Sequence, residues 1–314
     1  MTDSDAEDRR PIVVVVLPNR PFFGASLVLV PALLHLRRCH PAARFVALAN
    51  HGTGALFERW GLVDEVWRHD RTGGEPFATF RRTLNLRPTL VVNCRPRSTR
   101  LHLWTMLMRA RERRCFAHGL GGWIDADSRP WDSNRYKALT YLGLVGAGWH
   151  DRQGDLLTDW KMVPQVAPSG ALVLVPCGSS PQKKWSLEKY LELAVRWRRS
   201  HGGPVQVLAG SDDPEVVTWV ATPEVQEAGI TLIRGDLPVE AAALRAAAMV
   251  VGNDCGPNHL AQLMDRPRVV LFPMNGCPAE WFRPGARAEY ILPHGPLQEV
   301  STDTVWSAIQ KVAG

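Results

Sequence analysis

No apolar run in this 314-residue sequence approaches the roughly 20 residues that a membrane-spanning helix requires. The longest, at 12–17 and 27–36, are the size of a strand and a helix. The first ten residues, MTDSDAEDRR, are polar and acidic. They lack the apolar core of a secretory signal, so a disordered tail and a cytoplasmic location are expected. Paired cysteines are missing too. The six cysteines (39, 94, 115, 177, 255 and 277) stand singly, without CxxC or metal-ligand spacing. Free thiols are therefore expected, and no metal site. The phosphate-binding pattern GxxxxGK[ST] is absent, as is any nucleic-acid-binding motif.

What is present is ordinary globular material: 45% hydrophobic and 22% charged residues. At roughly 150 residues per domain, that suffices for two cores and excludes a disordered or disulfide-stapled chain. Charge is uneven. Residues 1–150 carry 22 Lys and Arg against 13 Asp and Glu, a net of +9, whereas residues 151–314 carry 15 against 18, a net of −3. The arginine-rich half suggests an anionic partner. With basic residues spread over many segments, a phosphorylated or carboxylated small molecule fits as well as nucleic acid, and no nucleic-acid partner is expected. Contact with an anionic membrane is at most peripheral, since no amphipathic anchor stands out.

The pattern along the chain is strand then helix, repeated. Strands are expected at 12–17, 44–49, 63–67 and 90–93, and helices at 26–40, 54–60, 101–111 and 136–144, with 109–114 continuing an exposed helix. After an aperiodic stretch the alternation restarts with strands at 171–175, 205–209, 230–233, 249–252 and 268–272. The helices between and after them fall at 187–200, 215–221, 239–247, 257–264 and 302–312. Two such runs predict two α/β domains with parallel sheets, at 11–155 and 171–314, joined by a linker at 156–170. Ligands of such sheets sit at the carboxyl ends of the strands, here facing a cleft between the domains.

The strand-end loops are where chemistry is expected. PCGSSPQKKW (176–185) offers Ser179 and Ser180 as donors and Lys183 or Lys184 as counter-charges for a phosphate. GNDCGPNHL (252–260) opens a helix in which Asp254 can cap, Gly256 permits close approach and Pro257 suits the first turn. His259 lies one turn in. LAGSDDP (208–214), with Gly210, and FPMNGCPAEW (272–281), with Met274, end two further strands. Each loop alone could be an ordinary connection; their convergence on one face favours a binding site. In the first half, Gly24 and Ser26 open a helix after strand one, and Arg95, Arg97 and Arg100 follow strand four as candidates for holding an anion.

The order PCGSSPQKKW, LAGSDDPE, VVGNDCGPNHLAQLMDRPRVVLF resembles the C-terminal half of glycosyltransferase family 9, the ADP-heptose heptosyltransferases, and the likeness extends over residues 11–314. The most specific element is Asp254-Cys255-Gly256-Pro257-x-His259-Leu260. The resemblance implies a GT-B architecture of two Rossmann-like domains. It also implies an inverting transfer without metal or other cofactor, ADP-heptose as donor, a polar or anionic acceptor, and a place in lipopolysaccharide biosynthesis. It assigns donor binding to Ser179, Ser180, Lys183, Gly210, Asp254, Gly256, Pro257, Asn258, His259 and Met274, and leaves the acceptor to Arg95, Arg97 and Arg100.

Two positions depart from the family pattern. Its Gly-Asp pair, whose aspartate is taken as the catalytic base, here reads Gly24-Ala25, and alanine accepts no proton. Ser26 is adjacent but weakly basic. Its Asp-x-Gln-Gly segment reads Asn93-Cys94-Arg95-Pro96. The catalytic residue stays unassigned. Another sugar nucleotide, a small-molecule acceptor such as a secondary-metabolite scaffold, or a binding protein without turnover would each fit these substitutions.

Overall fold

The computed structural model describes residues 10–19, 22–72, 74–125, 127–147, 154–210, 213–274, 278–281, 283 and 287–313. The expected tail at 1–10 lies, but for Arg10, outside the described residues. The chain divides into two compact units, residues 1–152 and 153–314.

The first unit is built on five parallel strands: β1 (Ile12–Val16), β2 (Arg44–Ala49), β3 (Glu65–Arg68), β4 (Leu90–Asn93) and β5 (Glu112–Cys115), in the order β3-β2-β1-β4-β5. β1 is central. Val13, Val14 and Val15 are fully buried, and Val14 lies between Val46 and Val91 on the neighbouring strands. Such β-branched runs suit a strand covered on both faces. Its helices are α1 (Phe23–Leu27), α2 (Val30–Cys39), α3 (Ala55–Arg59), α4 (Pro76–Asn85), α5 (Thr99–Leu107), α6 (Gly121–Ile124) and α7 (Lys137–Leu144).

Three features of this unit differ from the sequence reading. The single helix expected at 26–40 is two, α1 and α2, because Pro31 lacks an N–H and occupies the first turn of a new helix. α4 went unread because its buried face is Thr79 and Thr83, not aliphatic; Thr83 accepts the Trp104 indole N–H at 2.7 Å. The charged stretch expected to prolong a helix is instead the edge strand β5. An edge strand has one neighbour and tolerates charge. Arg113 donates to the Thr105 and Met108 carbonyls, and Arg114 pairs with Glu112 at 2.7 Å.

The second unit has six parallel strands: β6 (Leu172–Val175), β7 (Val205–Leu208), β8 (Ile230–Ile233), β9 (Met249–Asn253), β10 (Arg268–Leu271) and β11 (Ala288–Ile291), in the order β11-β10-β9-β6-β7-β8. Its helices are α8 (Leu187–His201), α9 (Pro214–Val220), α10 (Pro223–Glu227), α11 (Leu237–Ala246), α12 (Gly256–Leu263), α13 (Pro278–Trp281) and α14 (Thr302–Ala313). α10 and β11 were not anticipated; both are short, and β11 is an edge strand. α8 presents Tyr190, Leu193, Ala194 and Trp197 to the core and stops at Gly202, whose φ of 67° closes the last turn in the left-handed region. Residues 154–170 pack with this unit: the Leu156 amide donates to the Leu263 carbonyl and Arg245 pairs with Asp155.

Both sheets reverse their winding between the first and fourth strands of the unit, β1 beside β4 and β6 beside β9. That reversal opens the crevice at the strand carboxyl ends where doubly wound folds bind ligands. No helix among the described residues is long and apolar enough to cross a membrane.

Candidate functional site

The loops that leave β6 and β9 carry the two sequence motifs, and Asn253 ties them together. It ends β9 fully buried. Its Nδ2 donates to the carbonyls of Pro176 (2.7 Å) and Cys177 (3.3 Å). Its Oδ1 accepts the Trp185 amide (3.2 Å) and the Tyr190 hydroxyl (3.1 Å). A buried amide with all these bonds made fixes one loop against the other. Gly252 lets the strands and α12 meet: a Cβ there would fall 2.4 Å from the Val175 carbonyl oxygen. Asn258 then turns inward and donates to the Asn253 carbonyl at 2.6 Å.

On this base sits Asp254. Its carboxylate receives the Lys183 ammonium at 3.0 Å on Oδ2, and His259 Nε2 stands 3.6 Å from Oδ1. The Gln262 amide nitrogen is 3.3 Å from His259 Nδ1. With that amide donating to Nδ1, the ring proton lies on Nε2, toward Asp254. Asp254 therefore does not cap α12, as the sequence suggested. The cap position is Cys255, which makes no side-chain cap bond, because the Asp254 carboxylate is drawn to Lys183 and His259 instead. The first turn of α12, begun by Gly256 and Pro257, has no carboxylate or hydroxyl capping it.

The remaining donor-side residues divide. Ser179 and Ser180 line a pocket of about 470 Å³ with Gly178, Lys184, Glu188 and Glu215, of a size that suits a small ligand. Lys183 is not in that lining. Lys184 is held by Glu215 at 2.8 Å and Asp213 at 3.2 Å, and the Glu215 hydrogen bond foremost raises its pKa. Gly210 follows β7, near Cys177, whose thiol burial pushes up to about 11. Met274 is exposed after β10, and the loop at 275–277 lies outside the described residues. The sequence reading missed Glu240, in the first turn of α11. Burial, and then the Asp236 charge, push its pKa up to about 7.

In the first unit the strand ends are basic. Arg95 follows β4, its amide bound to Asn93 Oδ1 at 3.0 Å. Arg100, on α5, donates to His69 Nδ1 at 3.3 Å, so the His69 proton lies on Nε2. Burial first, then the Arg100 charge, push the His69 pKa down to about 4. Burial and Arg100 likewise lower that of Arg95. Asn50 Oδ1, His69 Nε2 and Arg95 Nη1 are buried without a hydrogen-bond partner among the described residues. Arg97 is exposed. Ala25 is buried in α1, and the Ser26 hydroxyl donates back to the Phe22 carbonyl at 3.2 Å. His69 was not singled out, although its place just after β3 marks it by the strand-end rule.

Comparison with known proteins follows the same division. The model of glycosyltransferase family 9 (heptosyltransferase) matches residues 147–280, which hold both motifs. The chain is glycosyltransferase family 9-like. Its fold is that of E. coli heptosyltransferase WaaC with ADP-2-deoxy-2-fluoro heptose, at 17% identity and a TM-score of 0.67 over 96% of this chain and 99% of that one. It is also that of E. coli ADP-heptose lps heptosyltransferase II, at 17% identity and a TM-score of 0.63 over 96% and 98%. The UDP-GlcNAc 2-epimerase of Methanocaldococcus jannaschii is more distant, at 11% identity and a TM-score of 0.54 over 96% and 93%. No curated protein matches the sequence. The α/β class, with two parallel Rossmann-like sheets in a GT-B fold, is as the sequence reading expected.

Proposed function

We propose that this glycosyltransferase family 9-like protein transfers a sugar, heptose from ADP-heptose, to a polar or anionic acceptor by inverting displacement. The observation that carries the donor half is the cluster of Lys183, Asp254 and His259 at the β6–β9 winding reversal. The ammonium and the amides of α12 suit the charge that develops on a nucleoside diphosphate leaving group, a task for fixed positive groups and needing no metal. Asp254 and His259 offer an acceptor and a donor suited to sugar hydroxyls. Two structural relatives whose names include ADP-heptose or a fluoro analogue support that donor. On the acceptor side the reading uses Arg95, Arg97 and Arg100, with lipopolysaccharide assembly and the cytoplasm as its setting.

Ala25 favours a second reading, a nucleotide-sugar-binding protein without turnover, because no carboxylate stands in α1. Calorimetric titration with ADP-heptose beside UDP-, GDP- and dTDP-sugars, followed by assay of donor hydrolysis without acceptor, tests both. Selective binding of the ADP-sugar with slow hydrolysis is expected. Selective binding with no hydrolysis would favour the second reading, and binding of none would sink both.

A further inference from the structure

α12 buries Leu260, Ala261 and Leu263, and among them stands Gln262, fully buried. A buried amide is costly unless its bonds are made, and a leucine would serve helix packing as well. Both ends of this amide are engaged. Oε1 accepts the Arg283 backbone N–H at 2.9 Å and lies 3.3 Å from the Tyr290 hydroxyl. That hydroxyl, on β11, is held by Arg268 Nη2 at 2.8 Å, and Arg268, on β10, is fully buried. The main-chain carbonyl of Gln262 accepts Arg283 Nη1 at 3.1 Å.

These bonds settle which way the amide faces. A backbone N–H can only donate, so turning the amide over would set its NH2 against the Arg283 N–H. Nε2 is thereby left for His259, one turn earlier on the same helix, and meets its Nδ1 at 3.3 Å. Trp281 lies against the imidazole, with ring centroids 5.1 Å apart at 46°, and limits how far it can turn. Nδ1 must accept, and Nε2, which carries the proton, stands 3.6 Å from Asp254 Oδ1.

We infer that Gln262 is a positioning residue of the donor site, holding the His259 ring proton on Nε2 so that this histidine meets a ligand only as a donor. Beside it Asp254 Oδ1 is an acceptor. A single sugar hydroxyl can bridge the two, receiving from the ring and giving to the carboxylate. The inference rests on the donor reading for what the proton meets, and not for where it lies.

The test begins with nitrogen-15 NMR of the imidazoles in the ligand-free full chain at about pH 8, above the ordinary imidazole range. The His259 signals are identified by their loss in His259→Gln. Nε2 should carry the proton and Nδ1 none. Gln262→Glu keeps the side-chain length and the bonds to Oε1 but offers Nδ1 an acceptor, with Arg268 and Arg283 close by to answer the charge. It should put a proton on Nδ1. Gln262→Leu should weaken ADP-heptose binding roughly fivefold in calorimetric titration, as loss of one neutral hydrogen bond would, and leave ADP within about twofold. A proton on Nδ1 in the wild type or a bare Nδ1 in the glutamate variant would overturn the inference. So would undiminished ADP-heptose affinity in the leucine variant, or an equal loss for ADP, which marks a purely structural role. If the wild type binds neither ligand, the donor reading fails by itself and the two spectra still decide where the proton is held.

Discussion

The two units share a strand order and differ in how their strand ends are furnished. In the second, polar groups answer one another: Lys183 meets Asp254, Asp254 faces His259, His259 meets Gln262, and Asn253 binds both loops. In the first, arginines predominate and several groups are unanswered: Arg68 pairs with Asp70 at 2.7 Å, but Arg95 stands beside Arg100, and buried polar atoms on Asn50, His69 and Arg95 lack partners among the described residues. A network tied through Asn253 holds its loops in place before a ligand arrives, and it leaves one buried atom, Asn258 Oδ1, without a partner among the described residues. Like charges held together in partial burial are costly, and an anion would relieve that cost. The strand ends of the second unit are organised around internal ion pairs, and those of the first around arginines, of which Arg95 and Arg100 repel each other.

Asp254→Ala should break this comparison most severely. It leaves the Lys183 ammonium and the His259 ring without their carboxylate, so both the pairing and its orientation are lost. Nucleotide-sugar affinity should fall at least tenfold, about 1.4 kcal/mol, in calorimetric titration, with some loss of melting temperature. Unchanged affinity in a folded variant would remove Asp254 from the donor site.

Arg95→Met should act with the opposite sign on stability. The substitution takes away a half-buried charge that repels Arg100 and has an unpartnered nitrogen, and it keeps much of the apolar stem. Melting temperature should stay level or rise by a few degrees, while acceptor KM rises several-fold and donor affinity holds. A drop in melting temperature would mean that Arg95 is a structural brace and not a binding residue.

The same contrast explains what was legible in the sequence. Continuous aliphatic strands such as Ile12–Val16 and Leu172–Val175 announce themselves, and so do small-residue loops after them. β5 did not, because an edge strand can carry Glu112, Arg113 and Arg114 where a central one cannot. α4 did not, because threonines line its buried side. Motif residues were found, but not their pairings. Asp254 read as a cap because local sequence shows the helix start and not Lys183, which lies 71 positions away in sequence.

The smallest expected effect is the sharpest test of the asymmetry, because it predicts opposite slopes with pH. His69 has a folded pKa of about 4, below its ordinary 6.5. As pH falls between those values the unfolded state takes up the proton first, so the first unit loses stability. Glu240 has a folded pKa of about 7, above its ordinary 4.5. As pH falls through that window the folded state takes up the proton first, so the second unit gains stability. Acidification from pH 6.5 to 5 should therefore lower the melting of one unit and raise that of the other, each by a few degrees. The Glu240→Gln variant is neutral at this position at every pH and should cancel only the second trend, melting above the wild type at pH 8 and close to it at pH 4.5. If its advantage over the wild type is the same at both pH values, packing and not the buried charge sets the stability of α11.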